Sequence, residues 1–339
     1  MSRKLNVAVI GATGLVGEAL LQVLAERKFP VAELHLLASS ESAGKRIEFN
    51  GKGIRVVPEK DFDFSAVELA FLAVPAVEAA AVAARVVDAG AVVIDLSGAF
   101  VADPSVIKVV PEVNPEALED YRETGIVASP SPAAIQLASV LAVLREAGGL
   151  MQAQATVLSP VSAEGRSGVE ELAGQTARLL NAQEIENKLF PAQIAFNAHP
   201  AVGPLLDSGA SHDELRVALE TLSVLGERAL PLTVTSVRLP VFFGTSVVLH
   251  AQTLQPVEAA SLQALLADRP GLQLVGDTGQ PWASALGDAV GEDAVYISRI
   301  RQEPTLQGGI SLVAVTDNLR KGAAINGVQI AELLLKHHL

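Results

Sequence analysis

Three glycines, Gly11, Gly14 and Gly17, stand in the stretch GATGLVG with the spacing G-x-x-G-x-x-G. Glycines there let the main chain approach a pyrophosphate, and the N-terminus of a following helix attracts its charge. The implied chemistry is dinucleotide binding, with Gly11, Thr13, Gly14, Leu15 and Val16 as the contacting residues. The end of the next strand chooses between cofactors: an acidic residue binds ribose hydroxyls, whereas an arginine accepts the phosphate of NADP. The segment ASSESAGK (38–45) places Ser39 and Glu41 there. Glu41 favours NAD over NADP, with Ser39, Ser40 and Lys45 as a partial offset. The alternatives are a tight turn without a ligand for the glycines and a solvated loop charge for Glu41. A third stretch, SPSPAAIQ (129–136), opens an apolar helical run. Ser131 suits the N-cap, and Pro132 suits the first helical position, where a missing N–H costs nothing.

These residues need elements to position them. Leu5–Ile10 is a short apolar run, the pattern of a buried parallel strand, and 18–27 follows it as a helix. Further strands are expected at 33–38, 69–74, 91–96 and 126–128, with a helix at 76–89. Alternating strand and helix predicts a parallel α/β sheet of the Rossmann type. Beyond about residue 150 the pattern changes. Strands at 153–161, 232–239 and 246–252 and helices at 169–181 and 215–225 predict an α+β second domain. A last helix, 322–337, is apolar on one face and is a candidate to return to the first domain.

Composition narrows the function classes. A chain of 339 residues is long for one core, so two domains are the default. Half of the residues are hydrophobic, 19% are charged, and the net charge is −13. That balance argues against nucleic acid and anionic membrane as partners. The chain contains no cysteine, which excludes disulfides, thiolate metal sites and a cysteine nucleophile. No metal is expected. No signal-peptide pattern and no run of about 18 apolar residues is present, so a cytoplasmic location is expected.

Seven stretches together resemble the aspartate-semialdehyde dehydrogenase family: GATGLVG (11–17), SSESAGK (39–45), VIDLSGAF (93–100), VVPEVNPE (109–116), FPAQIAFNAHP (190–200), VRLPVFFGTS (237–246) and DNLRKGAAINGVQIAE (317–332). They fall in the family's order and span nearly the whole chain. The resemblance implies NADPH-dependent reductive dephosphorylation of aspartyl phosphate, a step of amino-acid biosynthesis. It also implies a Rossmann domain at 1–131 and 318–339, and a substrate-binding and dimerisation domain at 132–317. A homodimer follows from it. Arg216, Glu220 and Arg238 match substrate-side positions, and Lys321, Gly322, Ala323 and Asn326 match the cofactor-side helix motif.

The departures from the family concern its chemistry. Its nucleophilic cysteine lies in N-P-N-C-[ST]; the matching position here is Pro132, which has no nucleophilic atom. Its general acid/base is a histidine after the glycine of R-x-P-V-x-x-G-H; Thr245 stands there, and a threonine does not exchange protons near neutral pH as imidazole does. His250 lies five residues on, roughly 17 Å along an extended strand and on its other side, a poor substitute. The phosphate-binding arginine after SSAF becomes Val101, and a later lysine becomes Ser223. The Q-x-V-S-G-A-G segment becomes SPVSAEG (159–165), which loses the glutamine and inserts Glu164 where glycine would admit the nicotinamide. The chain is similar to the catalytically degenerate, Usg-type paralogues.

The leading expectation is therefore a non-catalytic dimeric paralogue that binds NAD or NADP, or acts through a protein partner. The alternative is an oxidoreductase of altered mechanism on a small aldehyde or carbonyl, with Ser131, Glu164 and Arg238 as its site. A third is an interaction protein with an empty Rossmann pocket.

Overall fold

The computed structural model describes residues 3–275 and 281–339. The chain divides into two compact units, 1–131 with 323–339 and 132–322.

The first unit is built from β1 (Leu5–Ile10), α1 (Leu15–Glu26), β2 (Val31–Ala38), β3 (Arg46–Phe49), β4 (Lys52–Pro58), β5 (Leu69–Leu72), α2 (Ala76–Asp88), β6 (Val92–Asp95), β7 (Ile107–Lys108) and β8 (Ile126–Ala128). Its sheet has the order β3-β4-β2-β1-β5-β6-β8-β7. Every pairing is parallel except the β3–β4 hairpin. Successive side chains of β1 face opposite sides of the sheet. Val7 and Val9 pack in one core with Leu20 and Leu24 of α1. Ala8 and Ile10 pack in the other with Val82 and Val86 of α2. Burial on both faces is why these short strands read as continuous apolar runs.

The second unit comprises α3 (Pro132–Gly148), β9 (Leu150–Ser159), α4 (Gly165–Leu180), α5 (His212–Leu225), β10 (Leu232–Arg238), β11 (Thr245–Thr253), α6 (Ala259–Ala267), β12 (Leu272–Leu274), β13 (Val295–Glu303) and β14 (Gly309–Thr316). Its sheet runs β10-β9-β11-β14-β13-β12 and is mixed: β9 pairs parallel with β10 and antiparallel with β11. Residues 133–144 of α3 are buried all round, as expected for a helix at the centre of a core. Along β11 burial alternates, with Thr245, Val247 and Leu249 inside and Ser246, Val248 and His250 only half-covered.

The chain leaves this unit after Gly322, later than the expected boundary at 317. Side-chain bonds explain the overrun. Asp317 accepts from the backbone N–H of Gly291, and Asn318 accepts from that of Gly244. The chain then re-enters the first unit as α7 (Asn326–His337), whose Val328 and Leu334 pack on the α1 face of the sheet.

Candidate functional site

In the first unit the sheet order reverses at β1, between β2 and β5. Ligands of open α/β sheets bind at such a switch point, beyond the carboxyl ends of the strands. The glycine loop is fixed there from both sides. Gly11 and Ala12 donate backbone N–H groups to the Leu37 carbonyl of β2, and Ala73 after β5 donates to Ile10. Gly14 is the N-cap of α1 and has no side chain to satisfy the first-turn N–H groups. That open helix end suits a pyrophosphate. Ser39 and Glu41 are both exposed just beyond β2. Asn326, the first residue of α7, is fully buried. Its Nδ2 donates to Ser129 Oγ at 2.8 Å and to the Val109 carbonyl at 3.0 Å, while Oδ1 has no hydrogen-bond partner. A buried acceptor left over in this way is what a polar ligand group could complete. Thr13 in the loop and Leu15 and Val16 at the start of α1 are half-exposed. The residues present therefore fit a dinucleotide.

In the second unit, Pro132 opens α3 and packs against Gly322, where an added Cβ would lie 2.6 Å from that of the proline. One turn on, Gln136 is fully buried and donates Nε2 to the Thr245 carbonyl at 3.3 Å. Residues four apart share a helix face. Gln136 thus ties the face that carries Pro132 to the strand start that carries Thr245. Sequence reasoning missed Gln136; its spacing from Pro132 was the available signal.

Arg238 ends β10 and is only 3% exposed. Its Nη1 donates to Ser159 Oγ at 2.9 Å and to the Pro160 carbonyl at 2.5 Å. Its Nη2 donates to Glu164 Oε1. Burial pushes this guanidinium below its usual value, and the carboxylates of Glu164 and Asp213 act against that shift. Asp213 was not among the expected site residues. Glu164 was expected as an obstacle to nicotinamide, and the structure makes it the partner of Arg238. Arg216 Nε donates to Glu220 Oε1 at 3.0 Å, an i,i+4 pair on α5, so these two substrate-like residues meet each other.

His250 belongs to a different cluster. Ser311 donates its hydroxyl to Glu303 Oε2 at 2.9 Å and lies 2.8 Å from His250 Nδ1. A hydroxyl has one proton, so with that proton on Glu303 the histidine Nδ1–H is the donor. Ser311 and then Thr305 hold the Glu303 carboxyl below the usual glutamate range. A depressed folded value stabilises the protein above the unfolded value, and the gain is lost as pH falls through the folded one. Ser311→Ala is therefore expected to start acid unfolding at a higher pH than wild type, read from circular dichroism along an acid titration. Identical acid curves would refute the assignment.

Among the described residues no group of histidines and carboxylates could hold a metal ion, and no helix is long and apolar enough to cross a membrane.

The fold and glycine loop define a Rossmann-type domain joined to an α+β domain. Residues 6–121 match the family model for the semialdehyde dehydrogenase NAD binding domain, and residues 141–321 match that for the semialdehyde dehydrogenase dimerisation domain. The chain belongs to the semialdehyde dehydrogenase family. It is 40% identical over 338 residues to aspartate-semialdehyde dehydrogenase 2 of Vibrio cholerae, and 45% identical over 340 residues to a USG-1 protein homolog of Pseudomonas aeruginosa. Each match covers 100% of both chains. A crystal structure of aspartate semialdehyde dehydrogenase II from Vibrio cholerae, complexed with ASA, superposes with a TM-score of 0.96 at 40% identity, covering 100% of both chains.

Proposed function

We propose that this chain is a non-catalytic, dimeric paralogue within the aspartate-semialdehyde dehydrogenase family, one that binds a dinucleotide and serves a regulatory or partner role. The observation that carries this reading is Pro132 as the first residue of α3 in a chain without cysteine. Acyl transfer through a covalent intermediate needs an activated nucleophile at that position, and a pyrrolidine ring supplies none. Thr245 at the family's base position, Val101 at its phosphate arginine and the Glu164–Arg238 pair support the same reading. That pair also engages two of the three residues an altered oxidoreductase would use.

NAD is the favoured dinucleotide, because exposed Glu41 beyond β2 repels an extra phosphate. Calorimetric titration with NAD, NADH, NADP and NADPH tests this. NAD(H) is expected to bind at least about tenfold more tightly than NADP(H), a difference of about 1.4 kcal/mol. Glu41→Arg is expected to reverse the order. Absence of binding by all four forms would overturn the dinucleotide part. Semialdehyde dehydrogenase turnover by the unaltered protein would overturn the non-catalytic part.

A further inference from the structure

We propose that Glu164 is a resident carboxylate that occupies the carboxylate-binding position of Arg238 and closes this arginine to small carboxylates from solution. The guanidinium is almost out of water at 3% exposed, and its Nη2 donates to Glu164 Oε1. Guanidinium groups fork onto carboxylates, and a buried one without a carboxylate is costly. Glu164 lies on the solvent side of this pair, since its own side chain is 40% exposed.

The placement of Glu164 is specific. It holds the N-cap position of α4, yet its carboxylate makes no capping bond. A short acceptor side chain there bonds to the first-turn N–H groups of its helix, which the longer glutamate does not do here. This one turns to Arg238 instead. The short turn that carries it, Val161–Glu164, is packed onto α4: a Cβ on Gly168 would lie 2.2 Å from the Val161 carbonyl oxygen. The main chain therefore fixes where Glu164 begins, and its side chain alone sets whether Arg238 is covered. Asp213 adds a second negative field at Arg238. A monocarboxylate suits the uncovered position better than a more highly charged anion.

The test uses acetate as the probe and chloride at equal ionic strength as the control, with no nucleotide and no turnover assay. Its failure is therefore distinct from failure of the function proposed above. The thermal midpoint of wild type is expected to be the same in acetate and in chloride. Glu164→Ala is expected to melt lower in chloride and to be raised saturably by acetate over a concentration range in which wild type does not respond. The acetate effect is expected to vanish in the double variant Glu164→Ala, Arg238→Met. If Glu164→Ala does not fold, Glu164→Ser uncovers Arg238 in the same way while supplying a capping hydroxyl at the start of α4, and is expected to be stabilised by acetate where wild type is not. Equal response of wild type and the Glu164 variant, or an acetate effect that survives loss of Arg238, would overturn the proposal.

Discussion

Gly11→Ala is expected to destabilise the first unit by about 3 kcal/mol or more, whereas Gly14→Ala is expected to cost less than about 1 kcal/mol. Gly11 has φ +88°, a region an L side chain rarely adopts, and an added Cβ would sit 2.2 Å from the Ala73 carbonyl oxygen. Neither backbone can yield, because Ala73 N–H is bonded to Ile10 at 2.8 Å between paired central strands. Gly17→Ala meets the same kind of obstacle, with its Cβ 2.2 Å from the Gly11 carbonyl oxygen. Gly14 differs. Its φ is −82°, and its nearest neighbour would be the Gly11 oxygen at 3.3 Å. Two glycines are thus demanded by the turn itself and the third is not. A close-approaching ligand gives the remaining reason for glycine at the cap of α1. Denaturant melts of the three variants should rank Gly11 and Gly17 well below Gly14. Calorimetry on Gly14→Ala should show dinucleotide affinity weakened at least about tenfold. A Gly14→Ala protein that binds as wild type does would assign all three glycines to the turn alone.

Much of this architecture was legible because its causes are local. The run from Leu5 to Ile10 is apolar because both faces of β1 are covered, and the strand–helix alternation follows from parallel crossovers. The offset between Thr245 and His250 could be read from the strand period, and the two do face opposite sides. The β3–β4 hairpin escaped the alternation pattern. Its signal was Asn50-Gly51, both at positive φ, which spells a two-residue turn. The strands β12, β13 and β14 escaped as well: β12 is only three residues long, β13 passes from a covered to an open half, and β14 is covered almost throughout, so neither long strand shows a clean alternation. At the site, residue types were readable but pairings were not. Glu164 reads as a carboxylate in the way of nicotinamide, or as a site candidate with Ser131 and Arg238, and only the fold shows that it bonds directly to the guanidinium at the end of β10. Gln136 reads as one polar residue in an apolar helix, and its bond to Thr245 spans 109 positions of chain.

Pro132→Cys alone is expected to leave semialdehyde dehydrogenase turnover within about tenfold of wild type, with both at least about 10⁴-fold below an active relative. The substitution should be structurally mild. Proline is favourable at the first helical position, and a cysteine keeps the Cβ that packs on Gly322, so the cost is about 1 kcal/mol or less. The introduced thiol would lie at the N-terminus of α3, where the helix dipole lowers a thiol's pKa. Titration with a thiol reagent should therefore find it reactive, which separates a missing nucleophile from a missing remainder of the site. On the proposed non-catalytic reading, the remainder is expected to fail. Thr245, at the position the proposed reading gives to the base, is 4% exposed and offers a hydroxyl, which does not take and return a proton near neutral pH. Glu164 keeps Arg238 engaged. Groups that act as a unit are strongly non-additive, so restoring one member recovers little. Adding Thr245→His to Pro132→Cys should raise the rate above either single variant, and adding Glu164→Ala should raise it again by releasing Arg238. A reactive thiol in Pro132→Cys with turnover within about a hundredfold of the active relative would mean that the rest of the site is intact, and would overturn the reading that several of its groups are lost together.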